Sequence, residues 1–311
     1  MPEPLAEETL FLHHAEMGLG AWAWGDRSLW NYGNGYTETD IEQAFRTSLH
    51  AGVNLVDTAE VYGSGRSERF LGQFLKSTTT PVLVATKFMP FPWRLNGIDL
   101  MRSLDNSLER LGLEHVDLYQ IHWPFPPMPV EFWVEQLAKA VKSGKTRTVG
   151  VSNYSKIQMQ RAYTVLSKYN IPLASNQVEY HLLDRTVEKN GLLDRCKELG
   201  VRLIAWSPLA KGLLTGKYTL GSPPPGLRSR QPMSRMKALP DLVALMTEIG
   251  MGHSGKTPGQ VALNWLICKG ALPIPGAKNS KQAEENTGAI GWHLTQEDIK
   301  ALDNASDRFT K

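Results

Sequence analysis

Two kinds of apolar run alternate along the chain. Short runs rich in β-branched residues, such as "PVLVATKF" at 81–88, are typical of buried strands. Longer runs with apolar residues at helical spacing, such as "IDLMRSLDNSLERLG" at 98–112, are typical of amphipathic helices. Eight strand-like runs occur, and a helical run follows each of them. The eight lie at 15–22, 53–59, 81–88, 116–123, 146–153, 174–180, 201–208 and 271–277.

This alternation predicts an α/β protein, a (β/α)8 TIM barrel of parallel strands with right-handed crossovers. The alternative is an open doubly wound sheet, in which G-x-G-x-x-G follows the first strand. Here "GLGAWA" and "GSGRSE" both lack the third glycine, so the closed barrel is favoured. A chain of 311 residues could also hold two domains, but barrels of this length form one, and we expect a single domain over 1–311.

Two segments lie outside the repeat. "TLFLHHAE" at 9–16 precedes the first strand, and we expect it to form an N-terminal β-hairpin that plugs the barrel floor. Residues 221–235 are rich in Pro, Gly, Ser and Arg, which predicts a long loop after strand seven. A long loop on this face of a barrel is a natural lid, and a disordered excursion is the alternative.

Composition argues against several classes of partner. The formal net charge is +3 and no Lys/Arg run stands out, so we expect no nucleic acid partner. No apolar stretch is long enough to span a bilayer, and "MPEPLAEETLF" lacks the features of a signal peptide. Cys196 and Cys268 are too few and too far apart for a disulfide framework or a metal site. We therefore expect two thiols in a reducing, cytoplasmic setting and no metal, and the sequence leaves the oligomeric state open.

One motif is misleading. "GMGHSGKT" at 250–257 has the letters of a phosphate-binding P-loop, which should follow a strand and open a helix. The preceding run, "PDLVALMTEI", is helical in pattern, and Thr257-Pro258 is typical of a helix N-cap followed by proline at the first helical position. The context predicts helix, turn and helix, so we reject a nucleoside triphosphate site here.

Polar residues gather where the predicted strands end. Asp57 and Tyr62 follow the second strand, Lys87 ends the third and His122 ends the fourth. Singly, such residues are more often a solvated charge, a packing tyrosine or a hydrogen-bonded core histidine. The carboxyl ends of barrel strands share one mouth, however, so all four should converge there. This convergence favours a catalytic site.

The four side chains together suit general acid catalysis. A phenol with a pKa of about 10 is a poor acid at neutral pH. We expect the ammonium of Lys87 to lower the pKa of Tyr62, Asp57 to hold the lysine, and His122 to donate a hydrogen bond to a substrate oxygen. Tyr62 can then protonate a developing alkoxide. The chemistry that these residues lack is a source of hydride.

The sequence strongly resembles the aldo-keto reductase superfamily over essentially its whole length. The most specific stretches are "GVNLVDTAEVYGSGRSE", "LERLGLEHVDLYQIHWP", "GKTRTVGVSNYS" and "IPGAKNSKQAEEN". The local pattern is closer to bacterial and plant members, and also to the potassium-channel β subunits, than to the best-known single-substrate branches. The resemblance places the family's catalytic tetrad on Asp57, Tyr62, Lys87 and His122. It implies reduction of an aldehyde or ketone by hydride from C4 of the nicotinamide of NADPH, with Tyr62 as the acid.

The resemblance also implies where NADPH binds across the barrel mouth. It places Ser152, Asn153 and Gln177 on the nicotinamide carboxamide, and Trp206 on the ring, where many members have Tyr. Lys278 and Gln282 would face the 2′-phosphate. The cofactor residues implied in full are Gly20, Ala21, Trp22, Ser152, Asn153, Gln177, Trp206, Ser207, Leu209, Gly212, Gly276, Ala277, Lys278, Gln282, Glu285 and Asn286.

One departure concerns the choice of cofactor. Well-known branches of the superfamily carry a Lys where this chain has Gly276 and an Arg where it has Gln282. Lys278 is then the charge that favours NADPH over NADH.

Aromatic residues after the early strands suggest an apolar substrate pocket. The candidate walls, which could alternatively pack against the barrel rim, are Trp22, Met89, Trp93, Trp123 and Phe125. They fit a small aldehyde or ketone of the pyridoxal, sugar or detoxification type equally well. Two other functions stay open: an NADPH-sensing regulatory subunit with slow turnover, and an aldolase that uses Lys87 as a Schiff base.

Overall fold

Eight parallel strands form one curled sheet in the computed structural model, which describes residues 9–225 and 232–309. The strands pair in chain order, each with the next. The first and last strands meet through a parallel bridge between Gly20 and Gly276 and a hydrogen bond from Gly18 N to Pro273 O of 3.0 Å. The predicted (β/α)8 barrel is therefore confirmed. The strands are β1 (Leu19–Gly20), β2 (Leu55–Asp57), β3 (Leu83–Phe88), β4 (Val116–Ile121), β5 (Thr146–Ser152), β6 (Leu173–Glu179), β7 (Arg202–Trp206) and β8 (Leu272–Pro273).

Helices surround the sheet and cover its outer face. Apolar residues at helical spacing bury one face of each long helix against the strands, and Trp133 and Trp265 are fully buried in this layer. The helices are α1 (Leu10–His14), α2 (Glu38–His50), α3 (Arg66–Leu75), α4 (Gly97–Leu111), α5 (Val130–Lys142), α6 (Lys156–Ser167), α7 (Thr186–Lys189), α8 (Leu192–Glu198), α9 (Met233–Gly252), α10 (Pro258–Cys268), α11 (Ser280–Thr287) and α12 (Gln296–Ser306).

The prediction of an N-terminal β-hairpin is wrong, because the segment forms helix α1. Its apolar residues are contiguous, and no glycine, asparagine or proline stands between them to make a hairpin turn. The expected plug is nonetheless present. Leu12 is fully buried and packs in one cluster with Leu55, Ala85 and Leu118 of the barrel interior.

The segment after β7 is only partly the predicted loop. Ala210–Thr215 forms a kinked turn, and α9 begins at Met233, so the end of the predicted lid at 221–235 is helical. Residues 226–231 of that prediction lie outside the described residues.

The P-loop-like motif lies between two helices, as its context predicted. The P-loop-like letters lie across the end of α9 and the start of α10, and Thr257 caps α10 by accepting from Gln260 N at 3.3 Å. Cys196 and Cys268 are free thiols. Within residues 9–225 and 232–309, no helix is long and apolar enough to cross a membrane.

A layer of polar side chains crosses the inside of the barrel. Strand register aligns Lys87 of β3 with Gln120 of β4, Gln120 with Gly150 of β5, and Gly150 with Ser175 of β6. All three side chains in this layer are fully buried. A buried polar group is costly unless it is hydrogen-bonded, so this level of the barrel must supply partners from within itself.

Candidate active site

The structure brings the four predicted catalytic side chains together at the barrel mouth. Lys87 Nζ lies 2.5 Å from Asp57 Oδ1 at the end of β2, and 3.4 Å from the phenol oxygen of Tyr62. It also donates to Thr58 O at 2.7 Å. The rings of Tyr62 and His122 meet edge to face, with centroids 5.6 Å apart. The phenol therefore lies between an ammonium and an imidazole.

Burial sets the protonation of the phenol and the ammonium. It raises the pKa of Tyr62 well above 10.0, and the negative charge of Asp57 raises the pKa further. The expectation that Lys87 lowers the pKa of this phenol is therefore wrong for the protein alone. The ammonium is already paired with Asp57, and a buried phenolate would lose its hydration. Tyr62 consequently holds its proton at neutral pH, as an acid must.

The other two members of the set are also shifted by burial. Burial lowers the pKa of Lys87, and the charge of Asp57 opposes this effect. Burial, followed by the positive charge of Lys87, lowers the pKa of His122 well below 6.5. The imidazole is therefore neutral at pH 7. A neutral imidazole has one N–H, which can donate to a substrate oxygen.

Residues expected at the nicotinamide carboxamide are hydrogen-bonded to the catalytic set. Asn153 Nδ2 donates to His122 O at 3.1 Å and to Ser152 Oγ at 3.0 Å. Trp206 Nε1 donates to Asn153 Oδ1 at 3.0 Å, so the indole expected to stack on the ring is fixed by the asparagine. Gln177 Nε2 donates to Asp57 Oδ2 at 2.8 Å. The two predicted groups of residues thus form one network.

Sequence reasoning missed a second amide on Asp57. Gln120 Nε2 lies 3.5 Å from Asp57 Oδ2, and Ser175 Oγ donates to Gln120 Oε1 at 3.2 Å. Gly150 leaves room for this pair, because a Cβ there would lie 2.2 Å from Ser175 Oγ. The sequence signal was an amide near the end of the buried strand "VDLYQI", in which Asp117 is a second polar residue.

A cavity of about 590 Å³ runs from Asp57 and Tyr62 to the start of α11. Its volume falls in the range typical of small-molecule sites. Ala21 and Ala277, also predicted, are fully buried. The predicted cofactor residues that line the cavity are Gly20, Trp22, Trp206, Ser207, Leu209, Gly212, Gly276, Lys278, Gln282, Glu285 and Asn286.

Other lining residues were not anticipated. Lys211, Lys217 and Lys281 join Lys278 on the cavity wall, so four lysines line one ligand space. The run "LAKGLLTGKY" after β7 held a usable signal, since two lysines stand there beside glycines. Asp57 and Tyr62 of the predicted catalytic set also line the cavity. The remaining unanticipated lining residues are Ala23 and Trp30 of the early loops, Pro208, Thr215 and Tyr218 after β7, and Ile274, Pro275 and Asn279 near β8.

The far end of the cavity is ordered by side-chain contacts. Lys278 Nζ donates to Trp30 O at 2.9 Å and lies 4.4 Å from the centroid of the Tyr36 ring. Lys278 N donates to Gln282 Oε1 at 3.0 Å. Asn286 Nδ2 donates to a backbone carbonyl at 3.2 Å, and Glu285 accepts from the Thr257 hydroxyl. The predicted phosphate and adenine residues thus hold defined orientations.

Only one of the predicted substrate-wall residues lines this cavity. Trp22 stacks on Tyr62 with ring centroids 6.2 Å apart. Trp93 is 72% exposed and stacks on Phe91. Trp123 stacks on Phe125, which is 39% exposed. With Met89, these residues occupy the loops after β3 and β4, outside the main cavity.

Comparison with known proteins identifies the family to which this fold and site belong. The sequence model of the aldo/keto reductase family matches residues 16–307, and the chain belongs to that family. It is an NADP(H)-dependent oxidoreductase, as the sequence resemblance implied.

Relatives and solved structures support this assignment along almost the whole chain. A chloroplastic pyridoxal reductase from Arabidopsis thaliana is 39% identical, covering 95% of this chain and 84% of the relative. A glycerol dehydrogenase from Gluconobacter oxydans has a similar structure, with a TM-score of 0.82, 29% identity, and coverage of 94% of this chain and 92% of that one. An aldo-keto reductase from Klebsiella pneumoniae, solved in complex with NADPH, gives a TM-score of 0.72, 27% identity, and coverage of 93% and 90%.

Proposed function

We propose that this enzyme reduces aldehydes to alcohols with NADPH, and that Tyr62 is the general acid. The observation that carries the proposal is the contact of the protonated Tyr62 phenol with Lys87, 3.4 Å away, beside a cavity of cofactor size. The paired Lys87 and Asp57 and the neutral His122 complete the set.

Several features of the cavity and its surroundings support NADPH as its ligand. Trp206 offers a flat surface on the cavity wall and donates to the amide of Asn153. The amides of Asn153 and of Gln177, which donates to Asp57, are the carboxamide partners that we propose. Lysines, including Lys278, line the wall that would receive the phosphates. The N-terminus of α11 also favours an anion there. When bound, the cofactor supplies a hydride to the carbonyl carbon of the substrate.

The protein's own residues handle the proton. Tyr62 gives its phenolic proton to the substrate oxygen as negative charge develops there. His122 holds that oxygen through its N–H, and Lys87 stabilises the phenolate that remains. Asp57 keeps the ammonium in place through its 2.5 Å contact. Recovery of a proton by Tyr62 completes the cycle.

Planar aromatic aldehydes are the substrates that we propose first, with pyridoxal among them. Trp22 stacks close to Tyr62 and presents an indole beside the acid. A relative that is 39% identical carries the name pyridoxal reductase, which is consistent with this substrate class. The stacked pairs Phe91 with Trp93 and Trp123 with Phe125 add aromatic surface on the adjacent loops.

Replacement of Tyr62 by Phe tests the proposal. We expect turnover of pyridoxal and 4-nitrobenzaldehyde to fall by about 10²–10⁴-fold, the usual contribution of a general acid. NADPH affinity, followed by fluorescence titration, should change little, because the ring is retained. Turnover by the variant at the wild-type rate would show that the acid role is wrong. A wild-type protein that retains NADPH tightly and reacts only once would indicate the regulatory alternative instead.

A further inference from the structure

A partly buried ion pair joins the loop that carries Tyr62 to the loop after β3. Glu60 lies between Asp57 and Tyr62, and Arg94 lies seven residues beyond Lys87. Arg94 Nη1 donates to Glu60 Oε1 at 2.5 Å, and Nη2 donates to Oε2 at 3.3 Å. This is a two-pronged geometry, which only arginine provides.

The same pair closes the backbone of the loop at 89–94. Met89 N donates to Glu60 Oε1 at 2.7 Å, and Arg94 Nη1 donates to Met89 O at 2.8 Å. The guanidinium also lies over the rings of Phe88 and Phe91, 4.8 and 5.4 Å from their centroids. Each end of the loop is therefore tied to the Glu60 carboxylate.

The contacts of Glu60 also reach the catalytic lysine. Glu60 N lies 3.4 Å from Lys87 O, so this glutamate contacts the backbone on both sides of the end of β3. Its side chain is 9% exposed and that of Arg94 is 22% exposed, which separates this pair from fully solvated ion pairs of small effect. The loop that it fixes carries Met89 and Trp93 beside the barrel mouth.

We propose that Glu60 and Arg94 are a positioning pair that sets the preference for aromatic aldehydes by holding the 89–94 loop in place. Neither residue exchanges a proton with the substrate. The inference rests on the proposed function, because it assigns a substrate preference to that same site. Loss of the pair frees the loop and its aromatic side chains, and the tetrad keeps its own hydrogen bonds.

The test compares Arg94→Met, Glu60→Gln and the double variant on 4-nitrobenzaldehyde and propanal. We expect the KM for 4-nitrobenzaldehyde to rise about tenfold, the scale of a lost apolar pocket contact. The kcat values and the affinity for NADPH should stay close to wild type, and the KM for propanal should change less. The double variant should be no worse than Arg94→Met, because partners in one interaction are not additive. Arg94→Lys, which keeps only the charge, should be intermediate.

Arg195→Gln is the matched control. Arg195 also donates to two partners, Gln160 at 2.6 Å and Glu198 at 2.7 Å, but on the outer helices. Its KM values should equal those of wild type. Equal KM changes for both aldehydes, fully additive effects, or a wild-type KM in Arg94→Met would each overturn the proposal.

Hydrogen–deuterium exchange separates this proposal from the proposed function. Peptides covering 89–95 should exchange faster in Arg94→Met and Glu60→Gln than in Arg195→Gln, with no faster exchange in β3 and β4. This readout needs no turnover. Unchanged exchange at 89–95 would overturn the positioning pair even in an active enzyme. Faster exchange in an enzyme that reduces no aldehyde would leave the loop-positioning role intact and would overturn the proposed function, together with the substrate preference that rests on it.

Discussion

Asp57 is the residue on which the polar groups of the site converge. One carboxylate oxygen accepts from Lys87, and the other accepts from Gln177 at 2.8 Å and faces Gln120 at 3.5 Å. A buried charge is tolerated only when it is paired and hydrogen-bonded, so each partner offsets part of the cost of burying this carboxylate. The carboxylate thereby links the amide beside the cofactor cavity to the lysine beside the phenol.

Gln177 should consequently affect both cofactor binding and turnover. We expect Gln177→Leu to weaken NADPH binding and to lower kcat, each by about tenfold or more, because a hydrogen bond to a charged group contributes about 1.5–3 kcal/mol. Fluorescence titration and steady-state kinetics with 4-nitrobenzaldehyde measure the two effects separately.

Gln120→Leu is the comparison for this prediction. Gln120 faces the same carboxylate oxygen, and neither amide is among the residues that line the cavity. The family resemblance places only Gln177 on the nicotinamide carboxamide, so the NADPH affinity of Gln120→Leu should stay within about twofold of wild type. If Gln120→Leu weakened NADPH as much as Gln177→Leu, the carboxylate network rather than direct contact would explain the loss of affinity.

At the residue scale, the sequence predicted which four catalytic side chains lie together, but it did not predict the direction of the Tyr62 pKa shift. Strand ends alone predicted that Asp57, Tyr62, Lys87 and His122 share one mouth, and the structure brings them together. The predicted direction of the Tyr62 pKa shift was wrong, because the prediction included neither the burial of the phenol nor the effect of the Asp57 charge on it. It treated Asp57 only as the partner of Lys87. Burial is a property of the packed fold, which a local motif does not contain.

At the element scale, β5 is shaped around the polar layer of the barrel. Its register shifts between Val149 and Gly150, and Gly150 faces Gln120 on one side and Ser175 on the other. A Cβ at Gly150 would lie 2.2 Å from Ser175 Oγ and 3.1 Å from Ser175 O. The missing side chain at this position is therefore what admits the hydroxyl and amide beneath the site.

Gly150→Ala should destabilise the protein by about 1–3 kcal/mol, the usual cost of overpacking a core. Ser175→Ala in the same chain removes the nearer contact and should restore part of the loss, which urea unfolding can measure as a double-mutant cycle. Gly221→Ala is the control, because the nearest atom to its added Cβ lies 4.0 Å away. Strict additivity of the two substitutions would show that the hydroxyl is not the obstacle.

Elements differ in how far sequence pattern defines them. Helices such as α4 and α6 carry their own caps and an apolar stripe, so the local sequence pattern was sufficient to predict them. The segment of α1 was too short for a period to be distinguished, and its helix is stabilised by the barrel floor that Leu12 enters. Helix α12 was not predicted, although Thr295 and Asp298 form a capping box at its start.

At the scale of the whole molecule, the two ends of the chain together build the cofactor cavity. Trp24 Nε1 donates to Ala277 O at 3.1 Å, and Lys278 Nζ donates to Trp30 O at 2.9 Å. These contacts join residues about 250 positions apart in sequence. Spacing along the chain does not reveal such proximity. Trp30 was therefore not predicted, because only the closed barrel brings it next to Lys278.

A partly buried polar network joins several of the outer helices. Tyr180 donates to Glu188 at 2.7 Å, Arg185 donates at 2.8 and 3.0 Å, and Lys269 lies 3.1 Å away. Lys269 also reaches Asp303 of α12 at 3.0 Å. Burial by itself raises the pKa of Glu188, but the hydrogen bonds from its partners prevail and lower that pKa from 4.5 to about 2.

Glu188 should therefore contribute to the acid limb of stability. Its pKa is depressed in the folded state, so its contribution is complete above pH 4.5 and is lost as the pH falls toward 2. We expect Glu188→Gln to lower the free energy of unfolding at pH 7 by about 2 kcal/mol, the scale of a charged hydrogen bond. Between pH 5 and 3 the difference in free energy of unfolding between Glu188→Gln and wild type should narrow, as urea unfolding at each pH would show.

Glu198→Gln is the control. It breaks an exposed pair with Arg195 and should produce little change in the free energy of unfolding at pH 7. A Glu188→Gln deficit that stayed constant across this range would mean that packing, not charge, accounts for the contribution of Glu188.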